Sequence, residues 1–242
     1  MLIAISMIKN EEDIVGHTVQ HLLAQGVNKI ICYDNMSTDR TPQILAGNPQ
    51  IQVFPDREFA YNQAEKMNRL AINAYQDGAD WILPFDADEM ICPPIGHTLH
   101  SYFNSLTSDI GVIRIQGWDF LPRDCRSSHP NPYYQFEYRR EAPQPYPKIA
   151  FRATPTPDLH MGNHGINNIP GETVDGLTLR HIQYRTVTQM AAKLRNGKAV
   201  YDATNFDQGQ GAHWRTGGTL TDQEMADKWS ELCEEPAVHD PL

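Results

Sequence analysis

Trp81-Ile82-Leu83-Pro84-Phe85-Asp86-Ala87-Asp88-Glu89 runs from apolar residues straight into three carboxylates. A run this short, preceded by Gly78 and stopped by charge, reads as a strand buried on both faces. Three earlier segments, 2–8, 29–33 and 51–54, have the same character. Helical spacing fills the gaps between them. Ile14, Val15, Thr18, Leu22 and Leu23 recur up to Gly26, Thr41-Pro42 reads as cap and first helical position, and Ala64, Met67, Ala71, Ala74 and Tyr75 share one face up to Gly78. Strands alternating with helices predict right-handed crossovers, hence an α/β, Rossmann-like, mostly parallel sheet flanked by helices. Ligands on such sheets gather at the carboxyl ends of the strands. Those ends carry Lys9-Asn10-Glu11, the loop 34–39 and the acidic turn 86–89.

The second half is less regular. A strand is expected at 112–115, and the Pro-, Tyr- and Arg-rich stretch 122–147 reads as a loop shaping an acceptor side. Lys148–Arg152 is a short strand, and Leu177, Leu179 and His181 alternate along another. A helix over 186–195 presents Val187, Met190, Ala191 and Leu194 inward, with Gly197 as its stop. Thr221-x-x-Glu224 forms a capping box for a last helix on Met225, Trp229 and Leu232. The expectation is one domain over 1–242, with a nucleotide-binding half to about residue 120 and an acceptor-binding half over 121–242.

The chain has 242 residues, 40% of them hydrophobic, enough for an unstapled core. Its formal charge of −10 repels polyphosphate backbones, which argues against a nucleic-acid polymer as partner but not against one small phosphorylated ligand. Cys32, Cys92, Cys125 and Cys233 form no CxxC pair and read as reduced thiols. The apolar opening lacks a basic leader and no segment reaches membrane length, so a cytoplasmic protein without a transmembrane segment is expected. Neither GxGxxG nor a P-loop is present.

Asp86 and Asp88 repel each other unless a cation sits between them. Oxygen donors of this kind suit Mg²⁺ or Mn²⁺ shared with substrate phosphates. The short side chains of Asp34, Asn35 and Ser37 can contact a base or ribose, or simply shape a turn. Asn10 and Glu11 can serve the ligand or the helix entry that follows. Arg185, Lys193 and Arg215 are the basic groups best placed to meet a pyrophosphate. The pair His160 and His164 lacks the glutamate of an HExxH site, and Gly162 argues against a helix there.

In sequence order, Ile5-Ser6-Met7-Ile8-Lys9-Asn10-Glu11-Glu12, Asp34-Asn35-Met36-Ser37-Thr38-Asp39-Arg40-Thr41, Asn68 and the run into Asp86-Ala87-Asp88 resemble glycosyltransferase family 2, of the GT-A fold. The resemblance covers roughly the first 120 residues. Lys148 to Arg152, Gly162-Asn163-His164, His181-x-x-Tyr184-Arg185, Lys193-x-x-x-Gly197 and His213-Trp214-Arg215 resemble a bacterial branch of it. It implies a nucleotide-sugar donor, a hydroxyl acceptor (a glycan, a lipid-linked or a small molecule), Mn²⁺ or Mg²⁺ as cofactor, and inversion at the anomeric carbon. Asp34 would recognise the base, with UDP favoured and GDP possible. Asp86 would meet ribose and metal, Asp88 the metal, and His181 would complete the metal site. Met7, Lys9, Asn10, Glu11, Asn35, Ser37 and Asn68 would line the nucleotide. Met7 and Lys9 stand where the family commonly shows Pro and Tyr, and its usual Glu-Asp base pair is missing. His164 is the first candidate for the general base, with Asp119 and Glu141 as alternatives. Competing readings are a nucleotidyltransferase, a non-catalytic nucleotide-sugar-binding module and a His/Asp metallohydrolase.

Overall fold

The computed structural model describes residues 1–123, 129–207 and 209–242, so Cys125 lies outside the described residues. In chain order the elements are β1 (Leu2–Ile8), α1 (Val15–Ala24), β2 (Lys29–Asp34), α2 (Thr41–Ala46), β3 (Ile51–Pro55), α3 (Gln63–Gln76), β4 (Trp81–Pro84), β5 (Glu89–Cys92), α4 (Leu99–Ser105) and β6 (Ile110–Asp119). There follow α5 (Pro132–Gln135), β7 (Tyr138–Arg139), β8 (Lys148–Arg152), β9 (Asp158–Leu159), β10 (Ile166–Asn167), β11 (Glu172–His181), α6 (Val187–Asp202), α7 (Ala212–Gly217), α8 (Asp222–Glu234) and β12 (Val238–His239). These elements build two compact units. Met1–Arg57, Gln63–Trp118 and Pro143–His181 form the first, and Glu58–Asn62, Asp119–Ala142 and Ile182–Leu242 the second. The chain thus crosses the boundary expected near residue 120, because Pro143–His181 returns to the first unit.

The first unit is built on an eight-stranded sheet in the order β3-β2-β1-β4-β8-β6-β11-β5. Its first four strands are parallel, and β8 runs antiparallel to both β4 and β6. Alternate residues of β1 serve opposite layers. Leu2, Ala4 and Ile8 pack with Val15, Val19 and Leu22 of α1, whereas Ile3 and Ile5 pack with Met67, Leu70 and Ala71 of α3. Helices on both faces are why β1 is apolar at every position but Ser6 rather than alternating. The acidic turn was expected to end in Glu89. Instead Glu89 opens β5, which pairs antiparallel with β11 at the far edge of the sheet.

In the second unit α6 and α8 pack around Met190, Leu194, Met225 and Leu232. The Thr221–Glu224 capping box opens α8 as the sequence predicts. Two local expectations are corrected. Gly197 does not stop a helix, because α6 runs through it to Asp202. A Cβ there would lie 2.4 Å from the Trp214 ring of α7, so the glycine is a seat for that ring. Thr41 does not cap α2, since its hydroxyl accepts from Glu11 N at 2.9 Å and ties α2 to the chain after β1. Among the described residues no helix is long and apolar enough to cross a membrane.

Two stability predictions follow from packing and burial. Alanine is a better helix former than glycine by about 1 kcal/mol, yet Gly197→Ala should destabilise the protein by about 1–3 kcal/mol, because overpacking outweighs propensity. A chemical-denaturation midpoint equal to or above that of the unmodified protein would contradict this. His21 of α1 is tied through Nε2 to Ile91 O at 2.8 Å, and burial lowers its pKa from the ordinary 6.5. The folded state then binds that proton less well than the unfolded chain. Its contribution is complete above about pH 6.5 and is lost as pH falls below that value. His21→Gln, which keeps a neutral donor, should therefore lose less melting temperature than the unmodified protein between pH 7 and pH 5. His164 and His213 are shifted in the same direction, so the slope shrinks without vanishing. Superimposable melting-temperature profiles would show that His21 contributes nothing.

Candidate active site

Parallel register aligns Ile8 with Asp34 and Ile5 with Pro84, so β1, β2 and β4 deliver their carboxyl ends to one rim of the first unit. Asn10 sits in the left-handed region at φ 53°, which asparagine tolerates better than most residues. Its amide N–H donates to Ser37 Oγ at 3.0 Å, and its side-chain oxygen accepts from Thr38 N at 2.7 Å. Asn10 and Ser37 therefore fasten two loops to each other. Beneath them, buried Lys66 and Asp56 form an ion pair at 2.7 Å, and Asn35 Nδ2 donates to the same carboxylate. Asp56 N donates in turn to Asp34 O at 2.9 Å, and Lys9 Nζ to Asn35 O at 3.0 Å. These contacts hold Asp34 at the rim, half-buried, where Oδ1 accepts from Ser37 N at 3.3 Å. Met7 is half-buried near that rim and Glu11 is buried. Asn68 uses both ends of its amide on Leu159, accepting from its N–H at 2.8 Å and donating to its carbonyl at 3.3 Å. It pins the segment that leads to His164.

The acidic turn contains the cation that electrostatics demands, and the cation is a lysine. Lys148 Nζ contacts Asp86 Oδ2 and lies 2.9 Å from Glu89 Oε1. Antiparallel pairing explains the placement. β8 begins where β4 ends, so its first residue arrives beside the turn. Burial works against the ammonium, but the Asp86 and Glu89 carboxylates outweigh it and hold the Lys148 pKa above the ordinary lysine value. Burial pushes the Glu89 carboxyl up, opposed by Lys148 and reinforced by Asp86. The other oxygen of Glu89 accepts from Asp86 N at 3.1 Å and closes the turn. From α1, Thr18 Oγ1 donates to Ala87 O, so the helix that carries His21 also clamps the turn.

His181 ends β11 directly opposite Glu89, and its Nε2 stands 3.5 Å from Asp88 Oδ2. The Gln144 side-chain amide nitrogen lies 3.0 Å from the other ring nitrogen and donates to it, which places the ring proton on Nε2. Turning that amide over reverses the tautomer and frees the Nε2 lone pair, the form a metal takes. Among the described residues no three or more His, Cys, Asp or Glu side chains are grouped to hold a metal by themselves. Asp88 and His181 do fit as two neighbouring donors. Adjacent ligands on an octahedral ion with bonds of about 2.1 Å lie about 3 Å apart, and Mg²⁺-type sites fill their other positions with water and phosphate oxygens.

His164 follows Gly162 and Asn163, both at positive φ, so the chain makes only a short 3-10 turn over Met161–Asn163 and the HxxxH pairing with His160 is not made on an α-helix. Its Nδ1 donates to Pro147 O at 3.2 Å, leaving Nε2 as the acceptor nitrogen. Partial desolvation and the nearby Lys148 charge lower its pKa, although the ring keeps access to solvent. The first unit thus brings together Asp86, Asp88, Glu89, Lys148, His164 and His181. The remaining predicted residues belong to the second unit. Asp119 accepts from Arg140 at 2.9 Å, and Glu141 is exposed. Arg215 is committed to Asp202 at 2.6 Å and Tyr201 O at 2.8 Å. Arg185 Nη1 donates to Ile182 O at 3.1 Å, and Lys193 is half-buried on α6. Sequence reasoning missed Lys148, Thr18 and Gln144. Only Lys148 left a signal, a lysine opening a short strand whose next three residues are apolar.

Residues 4–147 match the family model described as glycosyl transferase family 2. No curated protein matches the sequence. Among solved structures, S. aureus TarS 1–349 in complex with UDP-GlcNAc is similar at 13% identity and TM-score 0.45, over 90% of this chain and 70% of that one. HddC from Yersinia pseudotuberculosis gives 10% and 0.42 over 76% and 95%, and a 4-diphosphocytidyl-2C-methyl-D-erythritol synthase gives 15% and 0.39 over 63% and 75%. These are distant likenesses. The family match is of another kind, since it covers more than half the chain and spans the strands β1 to β4, their loops and the acidic turn. With its mixed α/β sheet and strand-end acids, this chain belongs to glycosyl transferase family 2 and is a glycosyltransferase.

Proposed function

We propose that the enzyme moves a sugar from a nucleoside-diphosphate donor, UDP in preference to GDP, to the hydroxyl of a glycan, lipid-linked or small-molecule acceptor, with inversion. The observation that carries this reading is the Asp88–His181 pair, 3.5 Å apart, at the carboxyl end of β4 in a family 2 chain. When bound there, Mn²⁺ or Mg²⁺ supplies a Lewis acid for the charge on the departing diphosphate. Asp88 and His181 would hold that ion, and Lys148 keeps the neighbouring Asp86 and Glu89 from repelling the diphosphate. Asp34 accepts from the ring N–H of uracil or guanine, an edge that cytosine cannot offer. His164, neutral and with Nε2 open, takes the proton of the attacking hydroxyl.

Calorimetry with the four nucleoside diphosphates, with and without Mn²⁺, tests the donor side. UDP should bind best, and Mn²⁺ should tighten it. Asp34→Ala should erase the preference among bases, since an unpaired buried group costs about 1–3 kcal/mol. Equal affinity for all four, unchanged in Asp34→Ala, would overturn the base assignment. Asp88→Asn should abolish both the Mn²⁺ effect and donor-sugar hydrolysis while melting normally. Full hydrolysis by Asp88→Asn in EDTA would overturn the metal assignment. His164→Ala should lower turnover by roughly 10²–10⁴-fold with donor affinity nearly unchanged. A parallel loss of donor affinity and melting temperature would mark His164 as a structural residue instead.

A further inference from the structure

The acidic turn has two halves, and a lysine holds one of them. Asp86 and Glu89 converge on Lys148, whose side chain is 6% exposed, while that of Glu89 is 2% exposed. Separating Lys148 from Glu89 would leave buried charge without compensation, so those two behave as a permanent unit, with the more exposed Asp86 as the ammonium's second partner. Asp88 and His181 form the other half, reached from β11 rather than β8. Two donors are too few to retain a divalent ion without additional oxygen ligands. An ammonium on the same four-residue turn also repels any ion that approaches it.

We propose that Lys148 is a resident counter-cation that partitions the turn. It occupies Asp86 and Glu89, restricts a divalent ion to the Asp88–His181 side, and makes uptake of that ion depend on a diphosphate arriving with it. The inference rests on the donor-and-metal reading above, and deepens it by naming the residue that couples the two ligands. In consequence the site takes one divalent ion, not two, and takes it weakly when nucleotide is absent.

The test is titration with Mn²⁺, read by calorimetry and by the loss of the free-ion electron paramagnetic resonance signal, with and without UDP. The unmodified protein, Lys148→Met and Lys148→Arg are compared. Removing the ammonium releases two carboxylates, so Lys148→Met should bind Mn²⁺ without UDP roughly tenfold or more tightly than the unmodified protein. Lys148→Arg keeps the charge and should bind as the unmodified protein does. If Lys148→Met folds poorly, its melting temperature should rise with added Mn²⁺ more steeply than that of the unmodified protein. Lys148→Met with unchanged Mn²⁺ affinity and no such rise overturns the proposal, however the unmodified protein responds to UDP. A different pattern separates the two readings. Should the unmodified protein bind no Mn²⁺ even with UDP while Lys148→Met binds it, the metal-dependent donor reading fails and the counter-cation role of Lys148 stands.

Discussion

A lysine ammonium enclosed by carboxylates is the constraint to which the first unit answers. Three acids within four residues at the end of a buried strand cannot coexist without positive charge, and Lys148 brings it from a strand far along the chain. That requirement accounts for the sheet's mixed character. Four parallel strands would serve a Rossmann-like rim alone, but only an antiparallel neighbour of β4 starts where β4 stops. The same logic holds for β11, whose last residue, His181, arrives beside Asp88 because it is paired opposite Glu89.

The loops on the other side of the rim are built for rigidity. Asn10, Ser37 and Thr41 direct their polar groups at the backbone of the opposite loop. Asn35, Asp56 and Lys66 form a buried network under Asp34. Residues that look like ligand contacts in the sequence thus act as the frame that holds one carboxylate at the surface. A buried ion pair in such a frame is weak evidence for stability, but it does set where the neighbouring backbone runs, and Asp56 N reaches Asp34 O through it.

What the sequence made legible follows from how local each signal is. The apolar runs of β1 and β4 and the Thr221–Glu224 capping box are decided within a few residues, and they stand where periodicity and capping chemistry place them. Gly197 was misread because the reason for the glycine is the Trp214 ring, many residues away. The start of β5 was hidden because Glu89 reads as turn polarity until its partner strand is known. Within the candidate site the acids were legible as a strand-end cluster. Their cation was not, since the spacing between Asp86 and Lys148 encodes nothing. Asn68 resembled a nucleotide contact, yet its amide pairs with Leu159 as another strand would.

The crossing of the acidic turn from β4 in mid-sheet to β5 at its edge has a consequence for how the molecule forms. Neither half of the turn is complete until β8 has docked on β4 and β11 on β5, and both pairings join residues distant in the chain. Loops that long are closed late and slowly, because their entropy is lost before their contacts exist. The acids at the end of β4 therefore gain their cation only through a strand that lies far along the chain. Neutralising the turn and completing the sheet therefore depend on the same long-range pairings.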